Sequence, residues 1–286
     1  MDNLKIRDIE FSSPIFLASG TAGYGYELSE IIDFRKVGAI VTKGVSKNPR
    51  EGNPTPRIGE VIIYETAVGL INSIGLQNPG VTEFTQYLER IRKLPTKVIV
   101  NVFGETEKEY AEVIKILDNS PQRPDAYELN LSCPNTKKGG IEFGVNPRMV
   151  SKIIRLSRKE TELPIIVKFS PFSEILKELV KISISEGADA FTLTNTIPAA
   201  IRDYKVGFLK GGLSGPILKP IALRCVLDIK EIFPEANIIA CGGIYTITDV
   251  KDFLDAGACA VQIGTANFLN PKTSEIISEE FEKISH

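Results

Sequence analysis

The sequence predicts an α/β protein of the (β/α)8 TIM-barrel class, formed as a single domain over residues 1–286. Short apolar runs rich in Ile and Val alternate with longer amphipathic stretches along the chain, as buried parallel strands and surface helices do. Polar residues and glycines come directly after the apolar runs. A barrel brings the carboxyl ends of its strands together on one face, where active sites are built.

Eight runs are predicted to be the barrel strands because they are apolar nearly throughout. In chain order they are Pro14–Ala18, Ala39–Thr42, Lys97–Phe103, Ala126–Leu131, Ile165–Phe169, Ala190–Thr194, Asn237–Ala240 and Ala260–Ile263. Leu4–Phe11 is predicted to form a short hairpin that closes the bottom of the barrel. Val45–Val81 and Ile197–Pro216 are predicted to be insertions that cover the C-terminal face.

Apolar residues at three- and four-residue spacing predict helices between the strands. The predicted helices are Thr106–Leu117, Pro147–Glu160, Glu174–Glu186, Ile217–Phe233 and Thr246–Ala256. Thr106 followed by Glu109 resembles a capping box. Gly187 and Gly257 stand where helix ends are expected.

Composition excludes several classes of function. A formal net charge of −2 gives no electrostatic reason to expect a nucleic-acid partner or an anionic membrane surface. No apolar run approaches the ~20 residues that cross a bilayer. The segment Met1–Lys5 lacks the basic and then apolar pattern of a secretory signal. We therefore expect a cytoplasmic protein.

Cysteine and histidine usage narrows the chemistry further. The cysteines lie far apart in the sequence, at Cys133, Cys225, Cys241 and Cys259. The absence of a Cys-x-x-Cys pair argues against a zinc ribbon and against an iron–sulfur cluster held by this chain alone. The only histidine is His286, so no histidine-ligated metal and no imidazole base is expected. We predict no metal site, and we expect core packing for the last three cysteines.

Cys133 is the leading candidate for a catalytic side chain. It follows an apolar run and precedes Pro134, which cannot continue a strand, so Cys133 is expected in a loop. Asn130 and Asn135 flank it, and each carboxamide offers a donor and an acceptor to a planar polar ligand. The arrangement favours a catalytic acid or base, and the alternative is a thiol that is simply buried.

Lys43 and Lys168 stand at the ends of two apolar runs. A lysine in this position could form a Schiff base, could be a fixed cation facing an electron-rich ring, or could point inward and pair with a carboxylate. The asparagines at neighbouring strand ends suit a small anionic heterocycle held beside a flavin. They suit an aldolase less well, because an aldolase does not need so many amides.

Two glycine-containing pairs, Gly242-Gly243 and Gly264-Thr265, follow the last two predicted strands, the usual place for a phosphate in such barrels. Backbone N–H groups exposed by glycine can hold an anion. The alternative is a tight turn between strand and helix. Neither a dinucleotide fingerprint nor a Walker A loop is present, so a mononucleotide-type phosphate fits better than NAD or ATP.

A series of motifs, from about residue 4 to about residue 270, resembles class 1 dihydroorotate dehydrogenase. The motifs are Ala18–Thr21, Thr42–Gly44, Asn53–Arg57, Asn72–Gly80, Asn130–Asn135, Gly211–Pro216 and Cys241–Ile244. The presence of a cysteine at position 133 is a feature in which the sequence resembles the soluble class 1 enzymes. The segments Lys137–Gly140 and Phe143-Gly144 are most similar to the catalytic subunit of the NAD-linked class 1B enzymes.

The resemblance implies an enzyme that oxidises (S)-dihydroorotate to orotate in pyrimidine (UMP) biosynthesis, with one FMN per chain. Cys133 would be the general base that removes the C5 proton while a hydride passes from C6 to N5 of FMN. Contacts to FMN are implied for Ser19, Lys43, Gly44, Asn101, Asn130, Lys168, Thr194, Gly215, Gly242, Gly243, Gly264 and Thr265. Contacts to the substrate are implied for Lys43, Asn72, Ser73, Ile74, Gly75, Leu76, Asn130, Asn135, Asn195 and Thr196.

The resemblance to class 1B also implies a partner, an iron–sulfur flavoprotein subunit with FAD and a 2Fe–2S cluster that relays electrons to NAD. The assembly would be a homodimer core or a heterotetramer. Glu60–Ala67 and Ile197–Leu209 depart from the family pattern and could form part of the docking surface. Two other interpretations stay open: an aldolase or phosphosugar-type barrel enzyme that uses Lys168, and a flavin-binding subunit without catalysis.

Overall fold

Eight parallel strands close into a barrel. The computed structural model describes residues 4–63, 66–132, 144–171 and 175–285. Its strands are β1 (Leu4–Ile6), β2 (Ile9–Phe11), β3 (Ile15–Leu17), β4 (Ala39–Val41), β5 (Ile58–Ile63), β6 (Thr66–Asn72), β7 (Lys97–Val102), β8 (Ala126–Asn130), β9 (Ile165–Phe169), β10 (Ala190–Leu193), β11 (Ile197–Asp203), β12 (Gly207–Ser214), β13 (Ile238–Cys241) and β14 (Ala260–Ile263). Strands β3, β4, β7, β8, β9, β10, β13 and β14 form the barrel, which the pairing of β14 with β3 closes. The predicted fold class and the predicted barrel strands are confirmed.

Helices occupy most connections between the barrel strands. They are α1 (Val81–Ile91), α2 (Glu107–Asp118), α3 (Pro147–Arg158), α4 (Leu176–Ser185), α5 (Lys219–Ile232), α6 (Ile247–Asp255), α7 (Ala266–Leu269) and α8 (Thr273–Ser285). The five predicted helices are confirmed, with small shifts at their ends. No predicted helix corresponds to α1, although Val81, Phe84 and Leu88 are buried on one face of it. None corresponds to α7 or α8 either.

The capping box expected at the start of α2 is wrong. The side chain of Thr106 makes no cap hydrogen bond, and Glu109 instead accepts a hydrogen bond of 2.8 Å from the backbone N–H of Glu105. A capping box forms at the start of α6, between Thr246 and Asp249. The two helix starts therefore differ in how their first N–H groups are satisfied.

The barrel interior changes from apolar to polar along the strands. Its lower layer is apolar and contains Phe16, Val41, Ile99, Ala126, Ile166, Ala190, Ile239 and Ala260. Ile6 and Phe11 of the β1–β2 hairpin pack against this layer, so the predicted hairpin closing the barrel is confirmed. Two residues further along six of these strands, from β7 to β10 and in β13 and β14, the side chains are polar or a thiol: Asn101, Glu128, Lys168, Thr192, Cys241 and Gln262. Because side chains alternate along a strand, these residues share the interior with the apolar layer.

The two predicted insertions form one antiparallel sheet of four strands, in the order β11–β12–β6–β5. The strands β5 and β6 come from the first insertion and β11 and β12 from the second. They meet where Asn72, Ile71 and Leu70 pair with Gly212, Leu213 and Ser214. This sheet lies at the carboxyl end of the barrel, where Asn72 and Ser214 reach the cavity described below. The organisation as a single domain stays a prediction.

Candidate functional site

A cavity of about 420 Å³ opens at the carboxyl ends of the barrel strands. This volume lies within the range of about 300–1,000 Å³ that is common for small-molecule and cofactor sites. All residues for which FMN contacts are implied lie in its wall: Ser19, Lys43, Gly44, Asn101, Asn130, Lys168, Thr194, Gly215, Gly242, Gly243, Gly264 and Thr265. The barrel thus gathers into one place side chains that are far apart in the sequence.

Most of the residues for which substrate contacts are implied lie in the same wall. They are Lys43, Asn72, Ile74, Gly75, Leu76, Asn130, Asn195 and Thr196. Ser73 is not part of the wall. Its hydroxyl instead accepts a hydrogen bond of 3.1 Å from Asn53 Nδ2. Cys133 and Asn135 lie outside the described residues.

Glu128 lies at the centre of a buried polar cluster inside the barrel, formed with Asn101, Lys168, Thr192 and Gln262. Its Oε1 accepts a hydrogen bond of 2.7 Å from Asn101 Nδ2 and lies 3.7 Å from Lys168 Nζ. Its Oε2 accepts hydrogen bonds of 2.7 Å from both Thr192 Oγ1 and Gln262 Nε2. Glu128 is completely buried. Each carboxylate oxygen therefore faces two donors, as a buried charge requires.

Glu128, Thr192 and Gln262 are not among the site residues predicted from the sequence. The signal that could have found Glu128 is its position, because a charged residue interrupts an otherwise apolar strand two residues before Asn130. Alternation along the strand then places both side chains on the same face. The partners Thr192 and Gln262 carry no comparable signal, because they become neighbours of Glu128 only when the barrel closes.

Lys168 is a buried ammonium group in the cavity wall, and it is only 3% exposed. Its Nζ lies 3.4 Å from Ser19 Oγ and 3.3 Å from Gln262 Oε1. Burial is the largest single effect on the pKa of Lys168 and lowers it, but the charge of Glu128, the neighbouring Cys241 and the contact with Glu128 together raise the pKa above its ordinary value. The inward lysine paired with a carboxylate, one of the three alternatives from the sequence, is the arrangement found.

The carboxamides form a connected chain along the cavity wall. Asn130 Nδ2 donates to Asn101 Oδ1 at 3.3 Å, and Asn130 Oδ1 accepts from both the backbone N–H and the hydroxyl of Ser132 at 3.3 Å. Asn195 Nδ2 donates to the same hydroxyl at 2.9 Å. Ser132 is completely buried. These bonds fix the carboxyl end of β8 directly before the position of Cys133.

Lys43 and Arg57 supply further positive charge to the wall. Burial lowers the pKa of the half-buried Lys43, and the nearby charge of Arg57 lowers it further. The guanidinium of Arg57 donates to Gln77 Oε1 at 2.7 Å. Arg57 belongs to one of the family motifs but not to the implied contact residues. An arginine in this wall is suited to bind a carboxylate.

The glycines after β12 and β13 are required by backbone conformation and close approach. Gly242 and Gly243 have φ values of 132° and 74°, which side-chain-bearing residues rarely adopt. A Cβ at Gly243 would also lie 2.4 Å from the backbone nitrogen of Lys219. Gly215 has a φ of 111°. These loops bring exposed backbone to the cavity, as a phosphate site needs.

The remaining cysteines are not equivalent. Burial raises the pKa of Cys225 and of Cys259 to about 11, and Cys259 Sγ lies 3.3 Å from the carbonyl oxygen of Ile238. Cys241, for which core packing is expected, instead lines the cavity. Burial raises the pKa of Cys241 as well, against the opposing effect of Lys168. All three are therefore neutral thiols, which are poor nucleophiles.

Within the described part of the chain, no helix is long and apolar enough to span a bilayer. Nor do the described residues bring together three or more His, Cys, Asp or Glu side chains in a group suited to a metal ion.

Comparisons with known proteins agree with the family resemblance. The family model described as dihydroorotate dehydrogenase matches residues 1–284. The "Dihydroorotate dehydrogenase B (NAD(+)), catalytic subunit" of Geotalea uraniireducens is 42% identical over 286 residues, covering 98% of this chain and 92% of the relative. The protein of the same name from Thermodesulfovibrio yellowstonii is 44% identical over 281 residues, covering 96% of this chain and 90% of the relative.

A relative with a different electron acceptor in its name is similar to the same extent. The "Putative dihydroorotate dehydrogenase A (fumarate)" of Aquifex aeolicus is 44% identical over 276 residues, covering 94% of this chain and 88% of the relative. A crystal structure of dihydroorotate dehydrogenase from Eimeria tenella with ferulenol superposes with a TM-score of 0.82 at 24% identity. It covers 99% of this chain and 84% of the other, and it supports the fold.

Proposed function

This chain belongs to the dihydroorotate dehydrogenase family, and from that premise we propose that it oxidises (S)-dihydroorotate to orotate with FMN bound in the cavity. The observation that carries the proposal is the buried Lys168 ammonium in a cavity wall that also contains several carboxamides and glycines. Such a cation stabilises negative charge that develops on a ring during reduction. The reaction belongs to pyrimidine nucleotide synthesis.

The residues of the cavity suit FMN. Gly242, Gly243 and Thr265 would hold the phosphate through exposed backbone and a hydroxyl. Lys168, Asn101 and Asn130 would face the polar edge of the ring system. Bound FMN would supply the two-electron acceptor that no side chain of the chain can replace.

Substrate binding is assigned to the carboxamides and the cations. Asn72, Asn130 and Asn195 offer both donors and acceptors, which match the mixed edge of a dihydropyrimidine. Ile74, Gly75 and Leu76 would pack against its flat face. Lys43, and also Arg57, would bind the substrate carboxylate.

Cys133 is proposed as the general base that takes the C5 proton. It directly follows Ser132, which the hydrogen bonds of Asn130 and Asn195 fix at the carboxyl end of β8. An ordinary cysteine has a pKa of about 8.5 and is only slightly ionised at neutral pH. The positive charge of Lys43 in the cavity wall would favour the thiolate. Asn135 would complete the polar contacts to the pyrimidine.

The aldolase alternative is disfavoured by the state of Lys168. A Schiff base requires a neutral amine, which barrel enzymes obtain by lowering the pKa of the lysine. Glu128 has the opposite effect here, because it raises the pKa of Lys168. The absence of reductive trapping of a carbonyl substrate by borohydride on Lys168 would agree with this interpretation.

For the electrons we propose a relay to NAD through a partner subunit that carries FAD and a 2Fe–2S cluster. The relatives named as catalytic subunits of an NAD(+) enzyme support this acceptor, and the relative named for fumarate is the reason to test it. The quaternary structure proposed with it is a homodimer core or a heterotetramer.

Anaerobic flavin reduction tests the proposed function directly. The purified protein should bind one FMN per chain and lose the visible flavin absorbance when dihydroorotate is added without oxygen. Reoxidation with NAD, fumarate or a quinone, with and without co-purifying protein, then identifies the acceptor. A chain that stays colourless in excess FMN, or a flavin that dihydroorotate leaves oxidised, would refute the proposal.

Substitution of the proposed base is the sharper test. In Cys133→Ala, flavin reduction should slow by about 10²–10⁴-fold, the usual contribution of a general base, while FMN stays bound. Cys259→Ala is the matched control, because its thiol contacts the Ile238 carbonyl and is not in the cavity wall. An unchanged reduction rate in Cys133→Ala would show that another group takes the proton.

A further inference from the structure

The structure places a charged residue directly behind the cavity wall. Glu128 itself is not part of the wall, but three residues that contact it, Asn101, Lys168 and Gln262, are. These three side chains therefore separate Glu128 from any molecule that fills the cavity. The reaction proposed above gives this carboxylate no role.

We propose that Glu128 is a positioning residue that holds the Lys168 ammonium at the cavity wall and, through that lysine, sets the reduction potential of the bound flavin. This inference rests on the proposed function, because it requires FMN in the cavity. Three observations carry it: the pattern of donors on the carboxylate, the loose contacts of the ammonium group, and the absence of another carboxylate beside Lys168 among the described residues.

The donor pattern suits an ionised carboxylate. Asn101 and Lys168 approach one oxygen, and Thr192 and Gln262 approach the other. A protonated acid or an amide would direct an O–H or N–H towards one of these groups. Asn101 Nδ2 and the Lys168 ammonium have no lone pair to accept it, and Thr192 could accept it only by giving up its own bond to Oε2. The barrel interior thus holds one fixed negative charge at a completely buried position.

That negative charge compensates the cost of burying Lys168. The other polar contacts of Nζ, to Ser19 at 3.4 Å and Gln262 at 3.3 Å, are neutral and long. They cannot by themselves offset the loss of water around an ammonium group. Cys241 also faces Lys168, but burial raises the pKa of its thiol and keeps it neutral. Without Glu128, burial would therefore dominate, and Lys168 would lose its proton at a lower pH. A neutral amine would no longer stabilise a reduced, anionic ring.

The same contacts explain how Lys168, although paired with Glu128, can still bind a ligand in the cavity. At 3.7 Å, the ammonium and carboxylate attract each other without a short hydrogen bond. The carboxylate is saturated by Asn101, Thr192 and Gln262 at 2.7 Å each. Lys168 therefore keeps N–H donor capacity for a ligand on the side of the cavity.

The test is the dependence of the flavin reduction potential on pH, measured by equilibration with redox dyes in the FMN-loaded protein. For the unchanged chain we expect one straight line from pH 6 to pH 9, because Lys168 stays charged in both flavin states. In Glu128→Gln, Lys168 should lose its proton within this range when the flavin is oxidised and regain it on reduction. The line should then become steeper by about 30 mV per pH unit, which corresponds to one extra proton per two electrons.

A double-mutant cycle separates positioning from general structure. In a Lys168→Met background, adding Glu128→Gln should leave the slope unchanged, because no titrating lysine remains. Glu128→Asp keeps the charge and should restore most of the straight line. Glu235→Gln, at an exposed position, is the matched surface control. If Glu128→Gln does not fold, Glu128→Asp provides the test. Its shorter side chain places the carboxylate further from Lys168, so Lys168 should begin to lose its proton near pH 9, and the line should become steeper there.

The outcomes distinguish this inference from the proposed function. A chain that binds no FMN would overturn both. A chain that is reduced by dihydroorotate, but whose Glu128→Gln line runs parallel to that of the unchanged chain, would overturn the positioning role alone. A lower thermal stability or a weaker FMN affinity with an unchanged slope would likewise show that Glu128 serves only the fold.

Discussion

Two cations that are mostly or wholly buried, at opposite ends of the barrel, are held in different ways. Arg158, near the amino ends of the strands, donates to the carbonyl oxygens of Thr161, Leu163 and Gly187 at 2.9 to 3.2 Å and pairs with Asp189 at 2.5 Å. Lys168, at the carboxyl ends, has only longer contacts of 3.3 to 3.7 Å. The protein thus satisfies one cation completely and leaves the other able to bind a ligand.

The difference follows from position. The amino end of a barrel serves stability, whereas the carboxyl end carries the active site. Arg158 joins the end of α3 to the residues that precede β9 and β10. Its hydrogen bonds therefore connect parts of the protein to each other and leave no donor for a ligand. Lys168 lies at the border between the apolar barrel interior and the cavity. The comparison predicts that substitutions at the two ends separate activity from stability.

Lys168→Met should have the largest effect on activity. Loss of the ammonium removes a charge that stabilises the transition state, and the rate of flavin reduction by dihydroorotate should fall by about 10²–10³-fold per bound flavin. Stability should also fall, because Glu128 then remains buried without its counter-charge. Stopped-flow reduction of FMN-loaded protein measures the rate independently of the amount folded. A rate within threefold of that of the unchanged chain would show that Lys168, like Arg158, serves stability and not the reaction.

Arg158→Met should instead lower stability with little effect on the rate. It leaves Asp189 partly buried and removes the bonds to three carbonyl groups, for a loss of about 3 kcal/mol. For a chain of this size, the melting temperature should fall by about 5–10 °C. Arg224→Met is the control, because Arg224 pairs with Asp228 on an exposed helix surface, and such pairs contribute little to stability.

Comparison of the two ends also shows which parts can be predicted from sequence. The barrel strands are evident because runs such as Ile165–Phe169 are apolar and local in sequence. The residues after the strands can be assigned to a site because a barrel gathers strand ends. The interior partners of Lys168 cannot be assigned in this way, because Gln262 and Lys168 become neighbours only through barrel closure.

The strand pairing within the two predicted insertions is not legible from the sequence, and the capping box predicted at the start of α2 is wrong, for different reasons. Asn72 and Gly212 pair although they are far apart in the chain, and glycine-rich strands carry little information on register. The capping box predicted at Thr106 does not form, because the sequence pattern permits a cap without requiring it. Thr106 and Glu109 have the right spacing, but Glu109 bonds to Glu105.

Lys43 tests whether the cations of the carboxyl end bind an anionic substrate. Burial and Arg57 lower the pKa of Lys43, so its charge is lost at a lower pH than the ordinary value of about 10.4. As the pH rises through this lowered pKa, the affinity for orotate should fall by about tenfold, the value of one charge-assisted hydrogen bond. Titration of the flavin spectrum with orotate between pH 6 and pH 10 measures the change.

Lys43→Arg provides the control for this pH dependence. Arginine stays charged over the whole range, so the decrease in affinity at alkaline pH should disappear, even if the affinity at neutral pH is lower. The same alkaline decrease in both proteins would assign it to another group, such as the substrate or the flavin.

Thr246→Ala should have the smallest effect, and it marks the limit of the comparison. Thr246 follows the glycines after β13, at the carboxyl end of the barrel, but its side chain caps α6 and does not line the cavity. The loss of the cap should cost about 1 kcal/mol and lower the melting temperature by about 2–4 °C, with an unchanged rate of flavin reduction. Thr106→Ala is the matched control, because Thr106 makes no cap hydrogen bond and its loss should change stability very little. If Thr246→Ala slowed flavin reduction, the capped helix start would have to position the glycine loop, and contact with the cavity would no longer separate functional residues from stabilising ones at this end.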